Sequence, residues 1–308
     1  MSEITINKTG PGSPNDAPAQ DDKSVDSVQP SDGTLAKASP AKIDQKSSFS
    51  LLAWIRASRP TYFVATLVPL FLGFFAAARY ESVYKPWFFI LILVACFLVH
   101  LATNLANDLF ESSSGIDTKD TIGGTKVIQE GKISPRQIKL ALFLSYAAAL
   151  VLAYFIVKDN KILWAMVIFA FLSSLFYVCP PIKYGHRGLG EVFVFINMGL
   201  IMTVGTYMAL TDHFNPRVIA LSLPVAVMVA GILYFQSLPE IETDKKAGKK
   251  TLAVILGPHR ATFFQFIIWP IAWFLMINLW LTGLTTIWVL LGLITFPIHW
   301  LVMHRIRK

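Results

Sequence analysis

Between positions 61 and 303 the chain is a series of apolar runs divided by short charged connections, at roughly 61–79, 87–108, 136–157, 161–178, 188–210, 216–238, 260–281 and 284–303. Each run is close to the ~20 residues with which a helix crosses a 30 Å hydrocarbon core. The pattern predicts an all-α, multi-pass transmembrane helical bundle of about eight spans. Residues 1–47 are of another kind, rich in Ser, Asp, Pro, Lys and Gln with almost no aromatics. Such a composition cannot bury enough apolar surface to offset ordering entropy, so a disordered tail is expected ahead of a transmembrane domain at 48–308. The tail has no apolar stretch of the kind a secretory signal needs. Residues 48–56 read as an interfacial amphipathic turn.

The apolar pattern breaks in a specific way at the end of the second run. Asn104, Asn107, Asp108 and Glu111 stand at i, i+3, i+4 and i+7, one face of a helix. Carboxylates continue into the next connection at Asp117 and Asp120, and a second polar series, Gln236, Glu240 and Asp244, follows the sixth run at i, i+4 and i+8. Two acidic clusters at the ends of two spans predict one shared site. A sulfur-free, oxygen-rich set favours Mg²⁺, which binds through a few carboxylates together with substrate phosphates, and so points to a diphosphate ligand.

Composition agrees with the membrane reading. Of 308 residues, 54% are hydrophobic and 15% charged, and the mean hydropathy is +0.55, too apolar for an ordinary soluble protein. The formal charge of +8 does not indicate nucleic acid, because the excess sits in short connections beside spans. Seventeen Lys and Arg fall on one set of connections and five on the other, which predicts both termini and both acidic clusters on the cytoplasmic side of a bacterial or archaeal cell membrane. Cys96 and Cys179 have no metal or disulfide spacing, and the six histidines form no paired motif. None of these is assigned to chemistry.

Five blocks, in order, carry a resemblance. They are Arg59-Pro60, the stretch Asn104 to Asp117 (NLANDLFESSSGID), Gly123 to Gly131 (GGTKVIQEG), Tyr184 to Glu191 (YGHRGLGE) and Glu240 to Leu252 (EIETDKKAGKKTL). Together they resemble the UbiA family of intramembrane prenyltransferases, and most of all its 1,4-dihydroxy-2-naphthoate branch. The resemblance implies transfer of a polyprenyl chain from an isoprenyl diphosphate to an aromatic acceptor within the membrane, in quinone biosynthesis. By the same resemblance Asn107, Asp108, Glu111 and Asp117 hold one Mg²⁺ and Glu240 and Asp244 another. Arg59, Lys126, Lys183 and Arg187 are implied for the pyrophosphate oxygens, while Lys245, Lys246, Lys249 and Lys250 read better as positive-inside anchors. An allylic cation must be kept from water and is stabilised by aromatic faces, for which Tyr177 is the candidate; Tyr184 fits an interfacial belt better.

This sequence departs from the family pattern with Glu at 111 and 240, with Pro239 where the branch has Arg before the second cluster, and with no ninth span. Other acceptors therefore stay open: 4-hydroxybenzoate, a tetrapyrrole or a glyceryl phosphate lipid. An ion or solute transporter is the reading from another class. Against it, the acids gather at span ends and no ionisable ladder crosses the midplane.

Overall fold

The computed structural model describes residues 50–115, 117 and 123–306. The tail expected at 1–47, and Asp120, lie outside them. The described residues contain no strand. Six helices are long and apolar enough to span a membrane: Val64–Glu81 (α2), Pro86–Ser113 (α3), Pro135–Val157 (α4), Gly190–Thr211, Pro216–Ser237 (α8) and Leu252–Leu281 (α10). Within Gly190–Thr211, α6 (Gly190–Val194) and α7 (Met202–Thr211) are joined by a π-helical turn, Phe195–Ile201. The spans expected at 161–178 and 284–303 are shorter apolar helices, Lys161–Phe176 (α5) and Ile287–Leu301. The second of these opens as a 3₁₀ helix, Ile287–Thr295, before α11 (Phe296–Ile306).

Local sequence fixes the helix starts. Ser134 and Gln137 form a reciprocal capping box with Pro135 in the first turn of α4, and Asn160, Asn215 and Thr251 accept hydrogen bonds from the first turns of α5, α8 and α10. Small residues then let the spans approach closely, as they must where lipid is no less apolar than the helices themselves. The π turn touches α8 at Gly199, where an added Cβ would collide with Ala226, and Gly73 of α2 lies against Thr203 and Thr206. Tyr234, fully buried on α8, donates to the carbonyl of Ala261 on α10 at 2.7 Å.

The second polar series does not lie on one continuous helix: α8 ends at Ser237 and a separate helix, α9 (Ile241–Lys246), begins after Glu240. Pro239, which has no N–H to continue the ladder, accounts for the break.

One end of the bundle collects the connections that matter. There α1 (Leu51–Ser58), capped by Ser50, packs Ala53 and Ala57 with Val127, Ile128 and Ile133 of the segment after α3, and Arg56 pairs with Glu130 at 2.9 Å. The segments after α5 and α8 meet there too, with Lys250 N–H donating to the carbonyl of His186 at 2.9 Å.

Candidate active site

The predicted face of α3 is present. Asn104, Asn107, Asp108 and Glu111 lie on its final turns, with Asp108 only 3% exposed. Arg59 occupies a left-handed backbone conformation (φ 52°) between α1 and the short 3₁₀ helix Pro60–Tyr62, and from it the guanidinium reaches Asp108 Oδ1 at 2.7 Å. A non-glycine residue is held in that conformation only where its surroundings compensate. The buried, charge-assisted pair supplies that compensation.

The segment after α3 is fastened over both acidic clusters. Thr125 donates to the second oxygen of Asp108, and Lys126 and Gln129 both donate to Asp117. Gly123 (φ +95°) lies directly against the Glu240 carboxylate and Gly124 (φ +65°) against Asp117. Only glycine combines that backbone with that proximity.

The two clusters meet through Lys249. Its ammonium is 2.7 Å from Glu111 Oε1 and 3.1 Å from Asp244 Oδ1, and the residue is 8% exposed. His186 Nε2 lies 3.5 Å from the same Glu111 oxygen. Burial works against the Lys249 charge, yet the carboxylates of Glu111 and Asp244 hold it above the ordinary lysine range. Burial, and then the neighbouring Asp244 carboxylate, push Glu240 up to about 7. Burial likewise raises Asp244, against the pull of Lys249.

The other expected residues divide. Tyr177 sits beside the site, edge-on to Tyr184 with ring centroids 5.4 Å apart. Tyr184 is buried and donates to the Ser173 carbonyl at 2.8 Å, a packing position rather than an interfacial one. Arg187 is exposed and donates to the Pro181 carbonyl, and Lys183 is half-buried; neither pairs with a carboxylate among the described residues. Lys249, read from sequence as an anchor, and His186, assigned no role, are both brought to Glu111.

Below this polar layer lies a cavity of about 300 Å³. Its upper end carries Arg59, Asn107, Tyr177 and Gln236, and its wall along α3 is formed by Asn104, Thr103, His100, Val99, Cys96, Ala95 and Ile92. That is one helical face. At a rise of 1.5 Å per residue, Asn107 to Ile92 spans roughly 22 Å. The opposite walls come from α4, α5, α6, the π turn, α7 and α8, with Ala149, Phe171, Met198 and Leu233 among them. A polar, charge-rich end over a long apolar interior suits an amphiphile with an anionic head.

Residues 66–308 match the UbiA prenyltransferase family. The chain belongs to that family. Among curated UbiA relatives, 1,4-dihydroxy-2-naphthoate octaprenyltransferase of Bacillus subtilis is 28% identical over 257 residues, covering 82% of this chain and 81% of that protein. UbiA prenyltransferase domain-containing protein 1 of Gallus gallus is 29% identical, covering 83% and 77%. Among solved structures, a UbiA homolog from Archaeoglobus fulgidus bound to DMAPP and Mg²⁺ superposes with a TM-score of 0.61 at 19% identity, over 83% of this chain and 87% of that one. The protein is therefore an integral membrane protein of UbiA fold.

Among the described residues no three of His, Cys, Asp and Glu are gathered closely enough to hold an ion; Asp108 pairs with Arg59, Asp117 with Lys126, and Glu111 and Asp244 share Lys249. The donors nevertheless fit a hard divalent cation. They are all oxygen, Asn107 Oδ1 is buried without a hydrogen-bond partner, and Glu240 is destabilised as a carboxylate where it stands.

Proposed function

We propose that this protein transfers a polyprenyl chain from its diphosphate to an aromatic acceptor, 1,4-dihydroxy-2-naphthoate, with loss of the acceptor's carboxylate. The observation that carries the reading is the meeting of Glu111 and Asp244, from two different helices, across one ammonium, one turn of α3 beyond Asn107, which lines the polar end of the apolar cavity. The relatives named as dihydroxynaphthoate octaprenyltransferases support the acceptor.

Asn107, Asp108, Glu111 and Asp117 would hold one Mg²⁺ and Glu240 and Asp244 a second; bound there, the ions neutralise charge that develops on a departing pyrophosphate. The protein's own cations share that work. Arg59, Lys126 and Lys249 already stand among the carboxylates, and a diphosphate with its ions would take over those carboxylates and leave the three side chains to its oxygens. Lys183 and Arg187 lie farther out, where they would meet the incoming anion. As the allylic carbon loses its diphosphate, Tyr177 offers an aromatic face to the developing positive charge. The cavity walls exclude water from it. The prenyl tail lies along the α3 face. The Lys and Arg excess of its connections supports a cytoplasmic placement of the charged end of the bundle.

The test is an acceptor panel, with purified protein, Mg²⁺ and labelled octaprenyl diphosphate, against dihydroxynaphthoate, 4-hydroxybenzoate and a glyceryl phosphate lipid. Prenylated naphthol is the expected product. Transfer to one of the others instead would overturn the acceptor assignment.

A further inference from the structure

Among the described residues that line the cavity, His100 is the only histidine, and it lies below the polar end. It is 8% exposed on α3, four residues before Asn104 and about 10 Å along the helix axis from Asn107. One ring nitrogen is committed: Nδ1 lies 2.6 Å from the hydroxyl of Thr66, itself fully buried on α2. Phe63 packs edge-on against the ring at 5.7 Å and fixes its tilt. Nε2 has no hydrogen-bond partner among the described residues, and the residue lines the cavity. Thr103, on the same α3 face, is already satisfied by Ser174 at 2.5 Å, whereas Asn197 Oδ1 and Thr206 Oγ1 on the opposite walls are buried without a partner.

A polar atom facing an apolar cavity within a membrane span is costly unless a ligand or water meets it. A prenyl tail has nothing to offer it. On the functional reading above, on which this inference rests, the other occupant of the cavity is a hydroxylated aromatic ring, and it must lie just below the diphosphate to reach the allylic carbon. That is the depth of His100. We propose that His100 Nε2 is the hydrogen-bond partner of a ring hydroxyl of the acceptor, and that Thr66 holds the imidazole in position for it. The imidazole accepts from the hydroxyl or donates to it according to its tautomer, and the hydroxyl can take either role. The contact orients the ring so that the carbon beside the hydroxyl faces the allylic carbon. His100 is thus a specificity residue for arenols.

The experiment compares wild type, His100→Phe and His100→Gln, each with the free naphthol acceptor and with its mono-methyl ethers, measuring KM for acceptor and for prenyl diphosphate separately. His100→Phe should raise the KM of the free acceptor about tenfold and leave the KM of the diphosphate within twofold. His100→Gln, which keeps a hydrogen-bonding group, should recover part of the loss. Methylation of the hydroxyl that is bound should cost the wild type about as much as the mutation, and cost His100→Phe little more. Equal changes in both KM values, or a lowered melting temperature with both KM values unchanged, would mean that His100 only ties α3 to α2 and would overturn the proposal. Should His100→Phe fail to insert, wild type and His100→Gln with the ethers decide alone: no loss on any methylation rejects the contact. A wild type that prenylates no arenol at all removes the functional reading first, and this inference with it.

Discussion

Glu111 at the end of α3 and Asp244 on α9 share the ammonium of Lys249, at 2.7 and 3.1 Å, so that two acidic clusters far apart in sequence face each other across one positive charge. Two carboxylates held this close repel each other, and a cation between them offsets that repulsion. In the protein without ligands Lys249 supplies it.

Lys249→Met should therefore destabilise the metal-free protein by up to about 3 kcal/mol, the lower end of the cost of breaking a buried ion pair. Thermal melts of the detergent-solubilised protein check this. Addition of Mg²⁺ should raise the melting temperature of the variant more than that of the wild type, because the ion restores the charge that the lysine provided. An equal Mg²⁺ response in both proteins would show that Lys249 and the metal do not compete for the same carboxylates.

Gly123→Ala places a Cβ onto the Glu240 carboxylate at a backbone angle that side chains rarely adopt. The strain, about 1–3 kcal/mol, falls on the second acidic cluster. The Mg²⁺ concentration for half-maximal activity should rise several-fold. Gly115→Ala is the control, since Gly115 also has a positive φ (+70°) but nothing within 4 Å of its Cβ, and the same shift there would mean that strain alone is responsible.

Ala95 lines the cavity on the same α3 face, roughly 18 Å below Asn107. Ala95→Phe should block a long tail and spare a short one. The expected result is kcat/KM for octaprenyl diphosphate reduced at least tenfold while that for geranyl diphosphate stays within threefold. Equal losses for the two donors would place the tail elsewhere.

The α3 face was legible in sequence because helical period and polarity coincide at Asn104, Asn107, Asp108 and Glu111, and because an apolar run of span length is unmistakable. The meeting of the two clusters was foreshadowed by their positions at the ends of two spans. Lys249 was not legible: four lysines at 245, 246, 249 and 250 look alike, and what singles one out is a turn at Gly248 (φ +75°) that returns Lys249 N–H to the Asp244 carbonyl at 2.9 Å. His186 was overlooked for a similar reason, since its partner Glu111 lies on a distant helix. The helix break at Pro239 is a local rule that the i, i+4, i+8 spacing concealed. Pro239 itself is exposed and outside the cavity lining, so the arginine missing at that position is a weaker guide to the acceptor than the cavity. The π turn at Phe195–Ile201 reflects packing against α8, and no periodicity in the sequence announces it.

On the proposed function Glu111 and Asp244 serve one metal-dependent diphosphate site. The most direct measurement is Mg²⁺-dependent prenyl transfer by Glu111→Gln and Asp244→Asn, each purified and shown to insert as the wild type does. Each variant keeps the shape of the side chain and removes one carboxylate charge, so each should lose at least a hundredfold in turnover and gain little from added Mg²⁺. Near-normal turnover by either variant at the wild-type Mg²⁺ concentration would contradict the account.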